Sequence, residues 1–456
     1  MIESQSRPNA ATALLSVEAA RDIVLEAVPG PLPVESLATD AALGRVLAEP
    51  VVAVTALPPW DNSAMDGYAI RSADVAGATE EAPVSLRVIG EIPAGAAPDI
   101  AVGEGAALRI ATGAPAPAGA DAVVPVEQTT PVSADGGRGT RGRDAAGPVP
   151  DAILVHVAVP PGGSIRRAGS DLGRGTTVLR AGDLLTPPAV ALAAGVGSAS
   201  VVVHRRPRVG ILATGDEVRG PDEPLGPAGI PDANGPGLRA LVAAAGGIPV
   251  DLGIARDALE DVAGRLRRAI DDGVEVIIVS GGVSVGPYDV VRTAFEQIGR
   301  VDLWRVAVQP GKPFAFGVGE RGTADGRPVL LFGLPGNPVS SFVTFELFVR
   351  PALRRLAGHR RLLRPVDRAL LTDAVRKSHG RRAFLRVVAE RDGVGAPVRD
   401  PRGRVHVRLA GGAGGQGSHV LSALAEADAL AVVSEADDSL PPGAEVDLWW
   451  LDRGDA

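Results

Sequence analysis

Residues 274–289, VEVIIVSGGVSVGPYD, decide the fold class of this chain. The run begins with apolar, mostly β-branched residues, which is typical of a strand buried on both faces of a sheet. The strand stops at Ser280-Gly281-Gly282, and from Val290 onward apolar residues recur at helical spacing. A strand, a glycine-rich turn and a helix in this order present backbone N–H groups to an anion. The segment therefore predicts an anion-binding turn in an α/β sheet.

Strand-like and helix-like runs alternate regularly on both sides of this segment. From Arg208 to about residue 356, strand-like runs alternate with helix-like runs, which predicts a mainly parallel, doubly wound sheet. Ligands of such sheets bind outside the carboxyl ends of the strands. Four turns are expected at that edge and form the predicted binding site: Thr214-Gly215-Asp216-Glu217, Arg256-Asp257, Ser280-Gly281-Gly282 and Leu334-Pro335-Gly336-Asn337-Pro338.

Carboxylates accompany these turns. Asp289 lies in the first helical turn, and a carboxylate there repels a phosphate unless a cation or a proton lies between them. The alternative is an aspartate that only favours the helix dipole. Asp257 could likewise be an N-cap, with Glu260 completing a capping box, but Glu217 has no such structural explanation. The chain has no cysteine, and its six histidines show no ligand spacing, so a metal is expected to be held by oxygen, which favours Mg²⁺.

The rarity of lysine singles out Lys312 as a candidate functional residue. The chain contains only two lysines, Lys312 and Lys377, and uses arginine for every other permanent side-chain cation. Lys312 stands in a tight turn, Pro310-Gly311-Lys312-Pro313. This suggests a requirement for a compact ammonium group, and chance retention is the alternative.

Strand-like runs also flank the sheet region. Residues 84–128 alternate like short strands broken by glycine and proline, and the last hundred residues show a similar pattern. Both regions therefore predict β-rich domains. Outside the sheet region, helices are predicted over residues 16–28, 40–47 and 186–195.

Composition limits the class of protein. A chain of 456 residues with 45% hydrophobic residues can form about three or four domains with their own cores. The net charge of −8 argues against nucleic acid or an anionic membrane as the main partner. The chain has no run of membrane-spanning length and no secretory signal pattern, so a cytoplasmic location is expected.

Six motifs together carry a family resemblance. They are DNSAMDGYA (61–69), RIATGAP (109–115), LATGDE (212–217), SGGVSVGPYD (280–289), QPGKPFAFG (309–317) and LPGNPVS (334–340). In this order and spacing they resemble the MoeA family of molybdopterin molybdenumtransferases, which is related to the E domain of gephyrin. The resemblance spans nearly the whole chain. It implies the insertion of molybdate into adenylylated molybdopterin, with release of AMP and a requirement for Mg²⁺.

The predicted domains follow the motifs. An elongated N-terminal domain is made of residues 1–55 and 160–205, and residues 56–159 form an inserted β-rich domain. Residues 206–358 form the molybdopterin-binding α/β domain, and residues 359–456 form a C-terminal domain that resembles a β-barrel.

The resemblance also implies roles for individual residues. The residues implied in catalysis are Asp66, Asp257, Asp289 and Lys312. The acids implied to organise the metal and the pterin phosphate are Glu217, Asp257 and Asp289. The residues implied to form the molybdate pocket are Lys312, Pro313, Arg386 and Ser418. Further implied contacts to the pterin substrate are Thr112, Asp171, Thr214, Gly215, Ser280, Gly281, Gly282, Ser284, Pro335, Gly336 and Asn337.

The chain departs from the family at one position. Many relatives have lysine where this chain has Gln309, so the anion pocket has one cation fewer unless Arg305 substitutes.

The resemblance also implies partners and leaves two alternative functions. Family members are elongated homodimers in which residues near Asp66 reach the cleft of the partner. Other proteins of molybdenum cofactor biosynthesis are further expected partners. The alternative functions are a molybdopterin adenylyltransferase, which shares the sheet domain, and a non-enzymatic scaffold like gephyrin.

Overall fold

The computed structural model describes residues 14–143, 147–282, 290–320 and 326–451, and a six-stranded sheet lies at its centre. The strands follow the order Ile248–Ala255, Arg208–Thr214, Val276–Ser280, Val329–Leu334, Pro313–Gly319 and Gly299–Arg305. The first four strands are parallel, and the last two are antiparallel. The predicted mainly parallel sheet is confirmed, with an antiparallel pair added at one edge.

Helices cover both faces of this sheet. One face carries Asn234–Ala244 and a long helical segment. That segment consists of Pro338–Thr344, a π-helical stretch Phe345–Val349, and Arg350–Leu356. The other face carries Leu259–Asp271 and Val290–Glu296. Each face has its own apolar core, so the sheet is doubly wound as predicted.

The first helix belongs to the same core. Val17–Glu26 begins after Ser16, whose hydroxyl accepts a hydrogen bond from the Ala19 N–H at 3.1 Å. Its buried side chains pack into the core on the face that carries the long helical segment. The helix predicted over residues 40–47 was wrong. Only a 3₁₀ turn, Thr39–Ala41, forms there, because Gly44 adopts a φ of 73° that no α-helix can continue through.

Residues before and after the inserted domain pair with each other. Val34–Ala38 pairs with Ser200–His204, and Val51–Val52 pairs with Thr177–Leu179, both antiparallel. The helix Pro187–Gly195 packs beside them, close to its predicted range.

The inserted region is built on another six-stranded sheet. Its strands follow the order Ala122–Pro125, Gly67–Ile70, Ala106–Ile110, Val84–Ile92, Ala152–Val155 and Thr129–Val132. A short pair, Asn62–Ser63 with Ile165–Arg166, lies where the chain enters and leaves this region. Two 3₁₀ turns, Ser72–Val75 and Val126–Gln128, complete it.

The C-terminal strands close into a five-stranded barrel. Their order is Arg382–Ala389, Val405–Leu409, Val366–Leu371, Ala444–Trp450 and Ala429–Val433, which pairs back with the first strand. The predicted barrel-like domain is thereby confirmed. Short elements around it are Val375–Arg376, Ser439–Leu440, the 3₁₀ turn Ala413–Gln416 and the helix Leu421–Glu426.

The strand Val308–Gln309 joins the barrel to the central unit. It follows the last central-sheet strand by two residues and pairs in parallel with the barrel strand Arg382–Ala389. None of the described helices has both the length and the hydropathy needed to cross a membrane.

Candidate functional site

A cavity of about 750 Å³ opens at the carboxyl ends of the parallel strands. This main cavity lies where open α/β sheets bind their ligands. The predicted site residues that line it are Thr214, Gly215, Glu217, Asp257, Ser280, Gly281, Gly282, Lys312, Pro313, Pro335, Gly336 and Asn337. Ser284 and Asp289 lie outside the described residues. The sequence thus predicted most of this lining.

An acid cluster, defined as Asp216, Glu217 and Asp257, lies at the main cavity, and two of its members, Glu217 and Asp257, line it. The backbone N–H of Asp257 donates to Oδ1 of Asp216 at 3.3 Å. Burial, and then the charges of Asp216 and Glu217, raise the pKa of the Asp257 carboxyl. Carboxylates that crowd one another in this way favour the binding of a cation between them.

The structure excludes the N-cap role for Asp257. The helix Leu259–Asp271 begins two residues later, and its capping residue is Ala258, which has no capping side chain. The nearby carboxylate of Asp261 accepts instead from the backbone N–H of Arg256, at 3.2 Å. The Asp257 carboxylate therefore remains available to the cavity.

The donor set fits a hard cation such as Mg²⁺, which prefers oxygen ligands and keeps several waters. Within the described ranges, no three acidic or histidine side chains converge into a ready-made metal-binding group. Glu217 and Asp257 would be the described carboxylates nearest to such an ion.

Two glycine-containing turns form another part of the lining. We call residues 280–282 the SGG turn and residues 335–337 the PGN turn. In the SGG turn, Gly281 and Gly282 have φ angles of 97° and 66°. A Cβ on Gly281 would lie 2.6 Å from the carbonyl oxygen of Thr214, and one on Gly282 would lie 2.5 Å from a methyl group of Val291. Glycine is required at both positions because the turn packs directly against its neighbours.

Lys312 and Arg305 supply the positive charge of the main cavity. Arg305 is paired across the antiparallel strands with Pro313, the residue that follows Lys312. Among the described residues, neither cation forms an ion pair with a carboxylate. Both are therefore available to an anionic ligand.

Known proteins resemble this chain over most of its length. Three sequence-family models match the chain: MoeA N-terminal region (domain I and II) over residues 15–197, Probable molybdopterin binding domain over residues 210–355, and MoeA C-terminal region (domain IV) over residues 368–451. Molybdopterin molybdenumtransferase 2 of Mycobacterium tuberculosis is 37% identical over 442 residues, covering 96% of this chain and 99% of the relative. The chain belongs to the MoeA family.

Further MoeA relatives agree over the full length. The molybdopterin molybdenumtransferase of Haemophilus influenzae is 33% identical over 439 residues, covering 95% of this chain and 98% of the relative. The crystal structure of the molybdopterin biosynthesis MoeA protein from Pyrococcus horikoshii OT3 superposes with a TM-score of 0.73 at 29% identity. It covers 96% of this chain and 100% of that chain.

The MoeA motif that contains Gln309 is divided between two cavities. The Gln309 side-chain oxygen accepts a hydrogen bond from the Ser378 N–H at 3.2 Å, so this side chain contacts a loop of the C-terminal barrel. It lines a second cavity of about 350 Å³, together with Pro310 and Arg386. Arg305 lines the main cavity, where Gln309 does not.

Arg386 does not line the cavity of Lys312. Its side chain is fully buried, Nη2 donates to the carbonyl oxygens of Gly415 at 2.7 Å and Gly417 at 3.1 Å, and burial lowers its pKa to about 10. It thereby supports the loop that carries Ser418. The Ser418 hydroxyl accepts from the Asn337 side-chain amide at 3.1 Å, which joins this loop to the PGN turn.

The three predicted site residues in the N-terminal half, Asp66, Thr112 and Asp171, lie apart from the main cavity. Asp66 lines a separate cavity of about 200 Å³. Its Oδ1 accepts from the Thr112 N–H at 2.7 Å and from the Thr112 hydroxyl at 2.8 Å, and these bonds lower the pKa of Asp66. Asp171 donates its backbone N–H to Leu57 at 3.0 Å. Within one chain, these three residues are not brought to the Lys312 site.

Several lining residues were not predicted from the sequence. They are Val218, Ile230, Pro231, Asp232, Ala233, Asn234 and His419. Asn234 was missed because it precedes the apolar residues that indicate the helix, although the helix begins at Asn234 itself. His419 follows the predicted Ser418 directly, so its neighbourhood was the available signal. Ile230 lies in a short two-stranded ribbon and Asp232 directly follows it, and no local sequence pattern predicts this ribbon.

Proposed function

We propose that this chain is the transferase of molybdenum cofactor biosynthesis that inserts molybdate into adenylylated molybdopterin and releases AMP, with Mg²⁺ required. The observation that carries the proposal is a single cavity whose lining combines the carboxylates of Glu217 and Asp257, the cations Lys312 and Arg305, and two glycine turns. A phosphoanhydride substrate would need a metal ion held by the carboxylates. An oxyanion would need the positive charges of Lys312 and Arg305. Membership of the MoeA family supports the same reaction.

The acid cluster is assigned to the metal. Glu217 and Asp257 would hold Mg²⁺, with Asp289 as a further proposed ligand. When bound, Mg²⁺ neutralises the charge of a phosphoanhydride and polarises it for attack. Without the cation, Asp216, Glu217 and Asp257 would repel a phosphate, so the metal is what makes the acids compatible with this substrate.

The turns and the cations are assigned to the two anions. Thr214, Gly215 and the SGG turn border the acid cluster and would receive the phosphate of the pterin substrate. Lys312 and Arg305 would hold molybdate, a doubly charged tetrahedral oxyanion, next to the dithiolene sulfurs. The gain in rate would come mainly from positioning and from charge placed in advance.

Incubation with adenylylated molybdopterin, Mg²⁺ and molybdate tests the proposal. We expect stoichiometric AMP and active molybdenum cofactor, and we expect neither when Mg²⁺ or molybdate is omitted. Formation of adenylylated molybdopterin from ATP and molybdopterin would identify an adenylyltransferase instead. Tight binding of the substrate without any turnover would identify a scaffold.

We further propose that the working unit is a cytoplasmic homodimer. The resemblance implies a catalytic role for Asp66 and a substrate contact for Thr112, yet within one chain Asp66 lines a cavity other than that of Lys312. A second copy would bring the two together. Mixing an inactive Asp66→Ala subunit with an inactive Asp257→Ala subunit should restore part of the activity. A fully active monomer in sedimentation would contradict the dimer.

A further inference from the structure

Asn234 connects the two glycine turns of the main cavity. Its side-chain amide nitrogen donates to the hydroxyl oxygen of Ser280 at 2.7 Å and to the carbonyl oxygen of Gly336 at 2.7 Å. The acceptors lie 46 and 102 residues further along the chain. Ser280 belongs to the SGG turn and Gly336 to the PGN turn, so one side chain joins both.

The chemistry at this position calls for an amide. The –NH₂ group of asparagine has two hydrogens, which match the two acceptors. An aspartate at the same place could accept from the Ser280 hydroxyl, but it would face the Gly336 carbonyl oxygen with another oxygen. An alanine would leave both acceptors without this donor.

A small polar network surrounds the connection. The Ser280 and Ser341 hydroxyl oxygens lie 3.5 Å apart, and the Ser341 hydroxyl donates to the Pro335 carbonyl. The Gly281 N–H donates to the Leu334 carbonyl at 3.1 Å. Because the SGG turn contains two glycines without side chains, such hydrogen bonds and close packing are what hold its position.

We infer that Asn234 is a positioning residue that sets the separation of the SGG turn and the PGN turn. The inference rests on the proposed function, in which the SGG turn receives the phosphate and the PGN turn contacts the loop of Ser418. A displacement of about 1 Å in a positioned site can cost about 100-fold in rate. A single side chain that fixes both turns therefore controls the reaction without contacting the reacting atoms.

The first test is kinetic. Asn234→Ala and Asn234→Asp should lower kcat/KM for AMP release by about 10- to 100-fold, with Asp at least as damaging as Ala. Arg239→Gln is the matched control on the same helix, since Arg239 pairs with Asp251 at 2.9 Å outside the main cavity. It should leave kcat/KM unchanged and the midpoint of thermal unfolding close to that of the Asn234 variants.

A double-mutant cycle separates positioning from direct contact. If Asn234 acts through Ser280 and the Gly336 carbonyl, the combined loss in Asn234→Ala/Ser280→Ala should be clearly smaller than the product of the two single losses. Losses that multiply would show that Asn234 contacts the substrate independently, and would overturn the inference.

Amide hydrogen exchange tests the inference without turnover. Asn234→Ala should speed exchange in peptides that cover residues 280–282 and 335–337 by about tenfold, and Arg239→Gln should not. An inactive wild type would refute the proposed function but leave this measurement decisive. Unchanged exchange in both peptides would refute the positioning role even in an active enzyme.

Discussion

Lys312 and Arg305 show at the residue scale how the cavity is charged. Both line the main cavity, while Gln309 and Arg386 line a different one. The other lysine of the chain, Lys377, has a separate role, since its Nζ donates to the carbonyl oxygens of Ser378 at 3.3 Å and Arg381 at 2.8 Å. The two lysines are therefore kept for different reasons, and Lys377 provides a control for Lys312.

We predict that Lys312→Arg weakens molybdate-dependent cofactor formation by at least about tenfold, or about 1.4 kcal/mol. A compact ammonium can approach one oxygen of molybdate without placing a planar fork against its neighbours. High molybdate should rescue the variant in part. A molybdate titration at fixed adenylylated molybdopterin measures this, and Lys377→Arg should give the wild-type curve. Overlapping curves for Lys312→Arg would show that the lysine has no role in holding the oxyanion.

We predict that Asp257→Asn abolishes Mg²⁺-dependent AMP release without loss of stability. Burial and the charges of Asp216 and Glu217 raise the pKa of Asp257, so the charged carboxylate lowers the stability of the metal-free folded protein. A neutral amide removes this repulsion, and the metal-free midpoint of unfolding should stay equal or rise. Mg²⁺ should raise the midpoint of the wild type and not that of the variant. A variant that Mg²⁺ stabilises fully would contradict the assignment.

The long helical segment illustrates the element scale. Its last part, Arg350–Leu356, ends just before His359. Burial and the charges of Arg350 and Arg354 both affect the pKa of the His359 imidazole. Burial, followed by the charges of Arg354 and Arg350, lowers the pKa of His359 from its usual 6.5 to about 4. The neutral form is the one that this end of the helix accommodates.

We predict that His359 makes the protein less stable in mild acid. Between the unfolded pKa near 6.5 and the folded pKa near 4, the unfolded chain binds the extra proton, so stability falls as the pH falls through this window. Because the ring is partly exposed, we expect a loss of only about 1–2 kcal/mol between pH 7 and pH 4. His359→Gln should lose less over the same range in urea unfolding. Equal losses in both proteins would contradict this.

At the scale of the whole molecule, a buried ion pair ties the barrel to the sheet domain. Glu346 lies in the π-helical stretch, and Arg364 binds its carboxylate through Nε at 2.7 Å and Nη2 at 3.0 Å. The third nitrogen of Arg364 donates to the carbonyl oxygen of Trp450, in a barrel strand, at 3.0 Å. The connection fixes how the barrel, with Ser418 and His419, meets the main cavity.

We predict that Glu346→Gln costs about 3–5 kcal/mol of stability, because it removes the charge of a buried carboxylate that pairs with the Arg364 and Arg350 guanidinium groups. Guanidinium chloride unfolding measures the loss. Arg368→Gln removes exposed pairs to Glu445 and Asp447 and should cost less than about 1 kcal/mol. Equal effects of the two substitutions would show that the buried pair adds nothing to the barrel contact.

The sequence by itself determined the central sheet and most of its turns. A nearly all-apolar strand such as Val276–Ser280 is expected to be buried on both faces, and Gly281 and Gly282 are needed locally for their positive φ angles. Strand burial and glycine conformation depend on short segments of sequence, and the position of the turns follows from the rule that parallel strands end at one edge of the sheet. The same reasoning failed at residues 40–47, where Gly44 stops a helix that apolar spacing alone had favoured.

Only the tertiary structure decided which polar groups meet. Arg305 ends a strand of the central sheet, and Gln309 lies four residues later in a strand that pairs with the barrel. Which of the two faces the main cavity depends on where the chain passes from one sheet to the other, and no local pattern encodes that point. Asn234 reaches Ser280 and Gly336 for the same reason: packing of the helix on the sheet, rather than spacing along the chain, brings the donor to its two acceptors.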